Sequence, residues 1–364
     1  MRLLRLWLVV GGAALSQTAG VWHWYHHSTS GKAQPTVGWI GLSGPNFRSI
    51  PGKVVVVGDT VYVLGTAAHS DNTDAIVLPK GGPSLSARGN NDVTTYIAAY
   101  NRRNGAFLWA VHFRPQVGGN TTIRGVELLV SESHVIYAIL HASSSVSNES
   151  MQAQYVTWQS SIQSASFTGD PSIPDYRVSF IVRFEPSSLG NINLQRLGCG
   201  QGGLNPPDCD DNNFEANFFS LLLHDGRLWA SGTVRINRQL GGATYLYPDP
   251  NLTQSGFGTI LLNLILGITN AGQRLQAVLL RMDAASLTLD HASVIESAVG
   301  IGNHPACYGR ALFAYGPDTV GWLVSMREEG YKRYATTQSQ TTNYFSVDPG
   351  LRVFLVESST MRAI

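Results

Sequence analysis

Short apolar runs, alternating or continuous, are broken at close intervals by Gly, Asp, Asn, Ser or Pro. That is the pattern of β-strands and tight turns rather than of helices. Four segments repeat one unit, a hairpin with a large aromatic just past its turn. They are VVVVGDTVYVLG around Tyr62, LLVSESHVIYAIL around Tyr137, LLLHDGRLWASG around Trp229 and LFAYGPDTVGWLVS around Trp322. After each copy comes a long variable stretch and then a second strand pair, at 96–113, 180–197, 278–295 and 344–358. Hairpin, long connection, hairpin gives four antiparallel strands, A to D, per unit. This repetition predicts a β-propeller of four-stranded antiparallel blades, with about four complete blades, standing alone or as part of a larger propeller. The strand-B aromatics are expected to pack between neighbouring sheets.

The connections are unequal. A–B and C–D turns are tight, among them Gly58-Asp59, Asn104-Gly105 and Asp225-Gly226. The B–C connections are long, at 67–93, 143–177, 235–275 and 328–342. In a propeller the B–C and D–A connections share one face, so that face is expected to be built up and to carry recognition.

Composition narrows the function classes. Hydrophobic residues make up 43% and charged residues only 13%, with a net charge of +1. Without a Lys/Arg stripe there is no field to hold nucleic acid. Arg2 and Arg5 precede an apolar run at 6–15 and small residues to Gly20, the layout of a secretory signal peptide over 1–20. That run falls short of the ~20 residues a spanning helix needs, so no transmembrane helix is expected. A polar leader at 21–35, a propeller domain at 36–358 with the strand 36–42 at its start, and a tail at 359–364 complete the division. The expected location is secreted or on the cell surface, or periplasmic in a bacterium.

Of the three cysteines, Cys199 and Cys209 bracket the turn-rich loop CGQGGLNPPDC and are expected to form a local disulfide, with Cys307 left over. A crossed pairing with Cys307 stays open. Asn120, Asn148 and Asn251 begin N-x-[ST] sequons, glycan acceptors in a eukaryotic secreted protein. Asp208, Asp210 and Asn212 alternate like the first ligands of a calcium loop, although neither the glycine nor the bidentate Glu of such a loop follows. A solvated acidic turn is the competing interpretation. The apolar stretch 259–268 (TILLNLILGI) is a candidate buried strand or short helix, and Glu215, Glu296 and Glu357 are carboxylates that no sequence feature pairs. No Ser/His/Asp constellation, phosphate loop or zinc spacing is present.

The segment AAYNRRNGAFLWAVHF (98–113) resembles the repeat of PQQ-like propeller families and the similar β-propeller repeats of bacterial surface proteins (SBBP type). Ala99, Asn101, Gly105 and Trp109 match the pattern A-x-[DN]-x-x-x-G-x-x-x-W. The other copies lack that Gly and Trp, while Asp283 and Asp348 keep the acidic turn residue. The resemblance implies a propeller fold. It does not imply the quinone cofactor, because the adjacent cysteines that family members hold against it are missing. Fold and loops together lead to an expected non-catalytic binding module for a protein or glycan, acting through its loop-rich face. The rivals are a carbohydrate-active or quinoprotein-like oxidoreductase enzyme and a structural repeat scaffold of a surface assembly.

Overall fold

The computed structural model describes residues 21–23, 39–41, 48–69, 75–78, 82, 84–86, 91–175, 177–197, 214–236, 274–297, 307–327, 330–336 and 339–363. Among them, every strand belongs to an all-β fold and the one helical element is a single 3-10 turn, Pro186–Ser188. No helix among the described residues is long and apolar enough to cross a membrane.

β1 (Val21–His23) and β2 (Trp39–Gly41) pair with each other in a small antiparallel sheet. The first hairpin is β3 (Arg48–Val57) with β4 (Thr60–Ala68). A small hairpin, β5 (Ala75–Val77) with β6 (Ser84–Ser86), fills part of the first long connection. β7 (Val93–Asn101) then pairs with β4 and with β8 (Phe107–Pro115), completing a four-stranded antiparallel meander.

The second repeat starts with β9 (Thr121–Val130) and β10 (Ile136–Ser144). Its long connection, 143–177 in the sequence, holds three strands: β11 (Glu149–Thr157), β12 (Gln163–Thr168) and β13 (Ser172–Ile173). β14 (Val178–Phe184) and β15 (Asn191–Leu197) close this meander, with β14 against β10.

These inserted strands overturn the propeller. In a propeller the sheets stack face to face with open edges. Here β11 pairs antiparallel with β8 while β12 pairs parallel with β15, so the first two meanders are joined edge to edge. On the other side β7 meets β9 in parallel at Val93 and Thr122. The ring β7-β8-β11-β12-β15-β14-β10-β9 is therefore a closed eight-stranded mixed β-barrel, with β4 and β3 continuing outward from β7. Closure satisfies the backbone groups that a four-stranded blade leaves free at its edges.

The third repeat, β16 (Phe214–His224), β17 (Arg227–Ile236), β18 (Arg274–Asp283) and β19 (Leu289–Ser297), is again an antiparallel meander. The fourth departs from the expected unit. β20 (Cys307–Gly316) and β21 (Thr319–Met326) form the hairpin, but β22 (Gly330–Thr336) leaves to pair with β19, followed by β23 (Ser339–Val347). β24 (Gly350–Glu357) returns to β21. The strand pair expected at 344–358 is thus not a hairpin. Pro349 fixes its own φ and pushes Asp348 toward an extended conformation, which carries the chain across to another sheet.

The largest buried cluster runs from Tyr62, Trp109 and Val111 through Ile139 and Phe180 to Leu228 and Val278, joining the barrel to one face of the β16–β19 sheet. On the other face, Trp229, Leu279 and Ile295 pack with Cys307, Trp322 and Val324 of the three-stranded β20-β21-β24 sheet. A third cluster places Leu78 and Leu85 of the β5–β6 segment over Val63, Ala98 and Ala110. All four repeat aromatics are buried, Trp229 and Trp322 completely. Each such burial stabilises by about 2–3 kcal/mol.

Candidate functional site

Four tight turns meet at one end of the barrel. The β3–β4 turn brings Asp59, whose carboxylate pairs with Arg103 of the β7–β8 turn at 2.7 Å. Asn101 Oδ1 accepts from the backbone N–H of Arg103 at 2.9 Å and shapes that turn. The β9–β10 turn closes with the Ser131 N–H donating to Val135 O at 2.9 Å, and His134 sits there at φ 64°. After Phe184, Glu185 leads into the 3-10 turn, and Ser188 N–H donates back to Glu185 O at 3.0 Å.

Between these turns lies a cavity of about 400 Å³ lined by Thr60, Tyr62, Leu108, Trp109, Ser133, His134, Glu185, Pro186 and Ser187. Its inner wall is aromatic. The Tyr62 and Trp109 ring centroids are 6.0 Å apart, and Trp109 meets Phe184 edge-on at 5.9 Å. Tyr62 Oη and His134 Nδ1 are hydrogen-bonded at 2.5 Å. Burial pushes the Tyr62 hydroxyl above its ordinary pKa, partly offset by a hydrogen bond with Thr60, so the phenol stays protonated. The rim is polar: Ser133 and Ser187 are exposed, and Glu185 is held by Arg183 at 2.6 Å.

Tyr62 and Trp109 are only 1% and 7% exposed, so they form the floor of the cavity, and its polar rim supplies the groups that can hydrogen-bond a small polar ligand. It holds one carboxylate, already paired with Arg183, where two-carboxylate glycoside hydrolysis needs two. No group of three or more His, Cys, Asp or Glu among the described residues is arranged to hold a metal.

At the opposite end of the barrel two buried carboxylates organise the β8–β9 connection. Glu149 Oε1 accepts from the backbone N–H groups of Gln116 (2.8 Å), Val117 (3.0 Å) and Ser150 (2.9 Å), and Oε2 from Gly118 (2.9 Å). Asp92 Oδ1 takes Gly119 N–H at 2.8 Å and Thr121 N–H at 3.0 Å. These are first of all structural, since they satisfy the Val117, Gly118 and Gly119 amides of the connection, while Gln116 N–H is shared with Ser150 O at 2.8 Å.

None of the candidate site residues of the sequence lines the cavity. Asn120 and Asn148 are exposed at the long-connection end, both at positive φ (60° and 58°). Asn251, Cys199, Cys209, Asp208, Asp210, Asn212 and the stretch 259–268 lie outside the described residues. Cys307 is fully buried, and no disulfide occurs among the described residues. Glu357 Oε2 accepts from Thr360 Oγ1 at 2.5 Å, away from the cavity.

Of the cavity residues, Trp109 stands out in sequence as the Trp of the PQQ-like motif and Tyr62 as a repeat aromatic expected in the core. His134, Glu185, Ser133 and Ser187 carry no local signal. They come together only because four separate turns converge.

The chain matches no family model, no curated protein and no solved structure.

Proposed function

We propose that this protein is a non-catalytic binding module that takes a sugar ring in the cavity at the tight-turn end of its barrel. The observation that carries the reading is the lining itself: Tyr62 and Trp109, nearly buried, form an aromatic floor, with Ser133, His134, Glu185 and Ser187 spaced around it as polar groups that can meet sugar hydroxyls. Its volume of about 400 Å³ falls within the range of small-molecule sites. The single, already paired carboxylate supports binding over hydrolysis. In this reading the recognition surface lies at the end opposite to the long connections. The signal-like segment 1–20 and the sequons at Asn120, Asn148 and Asn251 support a secreted or surface location.

Calorimetric titration with a panel of neutral mono- and disaccharides tests this. Saturable binding is expected, weakened at least about tenfold in Glu185→Gln, which loses a charge-assisted hydrogen bond. An absence of saturable binding across the panel, or equal affinity in Glu185→Gln and Trp109→Phe, overturns it.

A further inference from the structure

We infer that Trp158 is a second sugar platform beside the cavity, so that the ligand is an oligosaccharide and not a single ring. This rests on the sugar-binding reading above. Trp158 is 66% exposed, the most exposed large hydrophobic residue among those described, and Ile162 of the same turn is 38% exposed. Its backbone N–H donates to Leu108 O at 3.0 Å, and Leu108 is part of the cavity wall. In the β8–β11 register Thr157 stands opposite Trp109, so Trp158 is one residue beyond the partner of the cavity's own indole.

The turn that presents Trp158 is fixed rather than loose. Ser160 N–H donates to Thr157 O at 3.1 Å, and Thr157 N–H donates to Ser160 Oγ at 3.0 Å. Tyr155, two residues before Thr157, anchors the strand end through a hydrogen bond from its hydroxyl to Gln163 Oε1. An indole left in water on a rigid turn, beside the polar rim of a cavity, extends the contact beyond that cavity and so suits a chain of rings better than a single ring. A ring stacked on Trp158 adds contact area without a second cavity. A protein partner would need a broader surface of about 800 Å² around it, whereas the neighbouring turns carry Arg102, Arg103, Asp59, Glu132 and Ser133, all exposed.

The test compares affinities for β-1,4-linked glucose and β-1,4-linked N-acetylglucosamine oligomers of one to four units, in the wild-type chain and in Trp158→Ala. Wild-type affinity is expected to rise about three- to tenfold between one unit and three. Trp158→Ala should remove that rise, leave the affinity for one unit unchanged, and keep its melting temperature, because the side chain is not part of the core. Trp158→Tyr should restore most of the rise. If wild-type affinity does not grow with length, or grows equally in Trp158→Ala, the second platform is overturned while the cavity reading stands. If neither oligomer series nor the single sugars bind, both fall, and binding of a protein through Trp158 takes their place.

Discussion

Tyr62 Oη and His134 Nδ1 stand 2.5 Å apart although 72 residues separate them in the chain. Tyr62 comes from β4, outside the barrel ring, and His134 from a turn within it, so this contact ties the outer hairpin to the barrel at the cavity. Replacing Tyr62 by Phe keeps the ring packed on Trp109 and removes one hydrogen bond. The expected cost is about 1 kcal/mol of stability in urea unfolding, with weaker sugar binding at the cavity. A stability change within error together with unaltered binding would mean that the contact serves neither purpose.

The hairpins other than the pair expected at 344–358 were legible because they combine strong apolar strands with short turns of Gly, Asp, Asn or Ser. The barrel was not. β11 does alternate, with Met151, Ala153 and Tyr155 against Ser150, Gln152 and Gln154, but its apolar side chains are few. β12, QSASFT, is small and polar. Both read as loop, and their partners β8 and β15 are specified by edges that exist only after the two meanders have formed. The same holds for the cavity, whose polar rim residues look like ordinary turn residues until the turns converge.

Glu149 is expected to be a stability determinant of the long-connection end. Glu149→Gln keeps the size but puts an NH₂ where backbone N–H groups now point at Oε1 or Oε2. The expected loss is about 2–3 kcal/mol, from weakened charged hydrogen bonds and an unpaired buried donor. Hydrogen exchange of Gln116, Val117 and Gly118 should speed up more than that of the strand amides. Uniform acceleration would point to global loosening instead.

Buried His112 and part-buried His141 are expected to make the fold acid-sensitive. Burial lowers the His112 pKa to about 3, helped by His69 and Arg114. His141 falls to about 4, again chiefly through burial, opposed by its bond to Phe218 O and helped by Arg177 and Arg124. Both pKa values lie below the ordinary histidine value of 6.5, so between about pH 4 and 6.5 the unfolded chain binds protons that the native one refuses. Stability is therefore complete above pH 6.5 and falls as pH drops, by up to about 1.4 kcal/mol per pH unit for each histidine. Unfolding measured across this window should show a shallower slope in His141→Gln than in the wild type. An identical slope would assign the acid sensitivity to other groups.

The β16–β19 sheet and the three-stranded sheet approach closely at Gly309 of β20. A methyl group there would overlap the carbonyl oxygen of Gly232 and the Ser231 hydroxyl. Ser231 Oγ also accepts from Trp322 Nε1 at 2.8 Å, so the crowding reaches the buried tryptophan that holds the two sheets together. Gly309→Ala must push the sheets apart or break that bond, and the expected destabilisation is about 1–3 kcal/mol. Gly316, in the same strand, has nothing within 4 Å of an added methyl. Gly316→Ala should therefore stay within about 0.5 kcal/mol of the wild type. Denaturant midpoints of the two variants, with tryptophan emission as the probe, separate close sheet packing from a general intolerance of alanine in β20. If both variants shift alike, the contact between Gly309 and Gly232 does not set the spacing of the sheets.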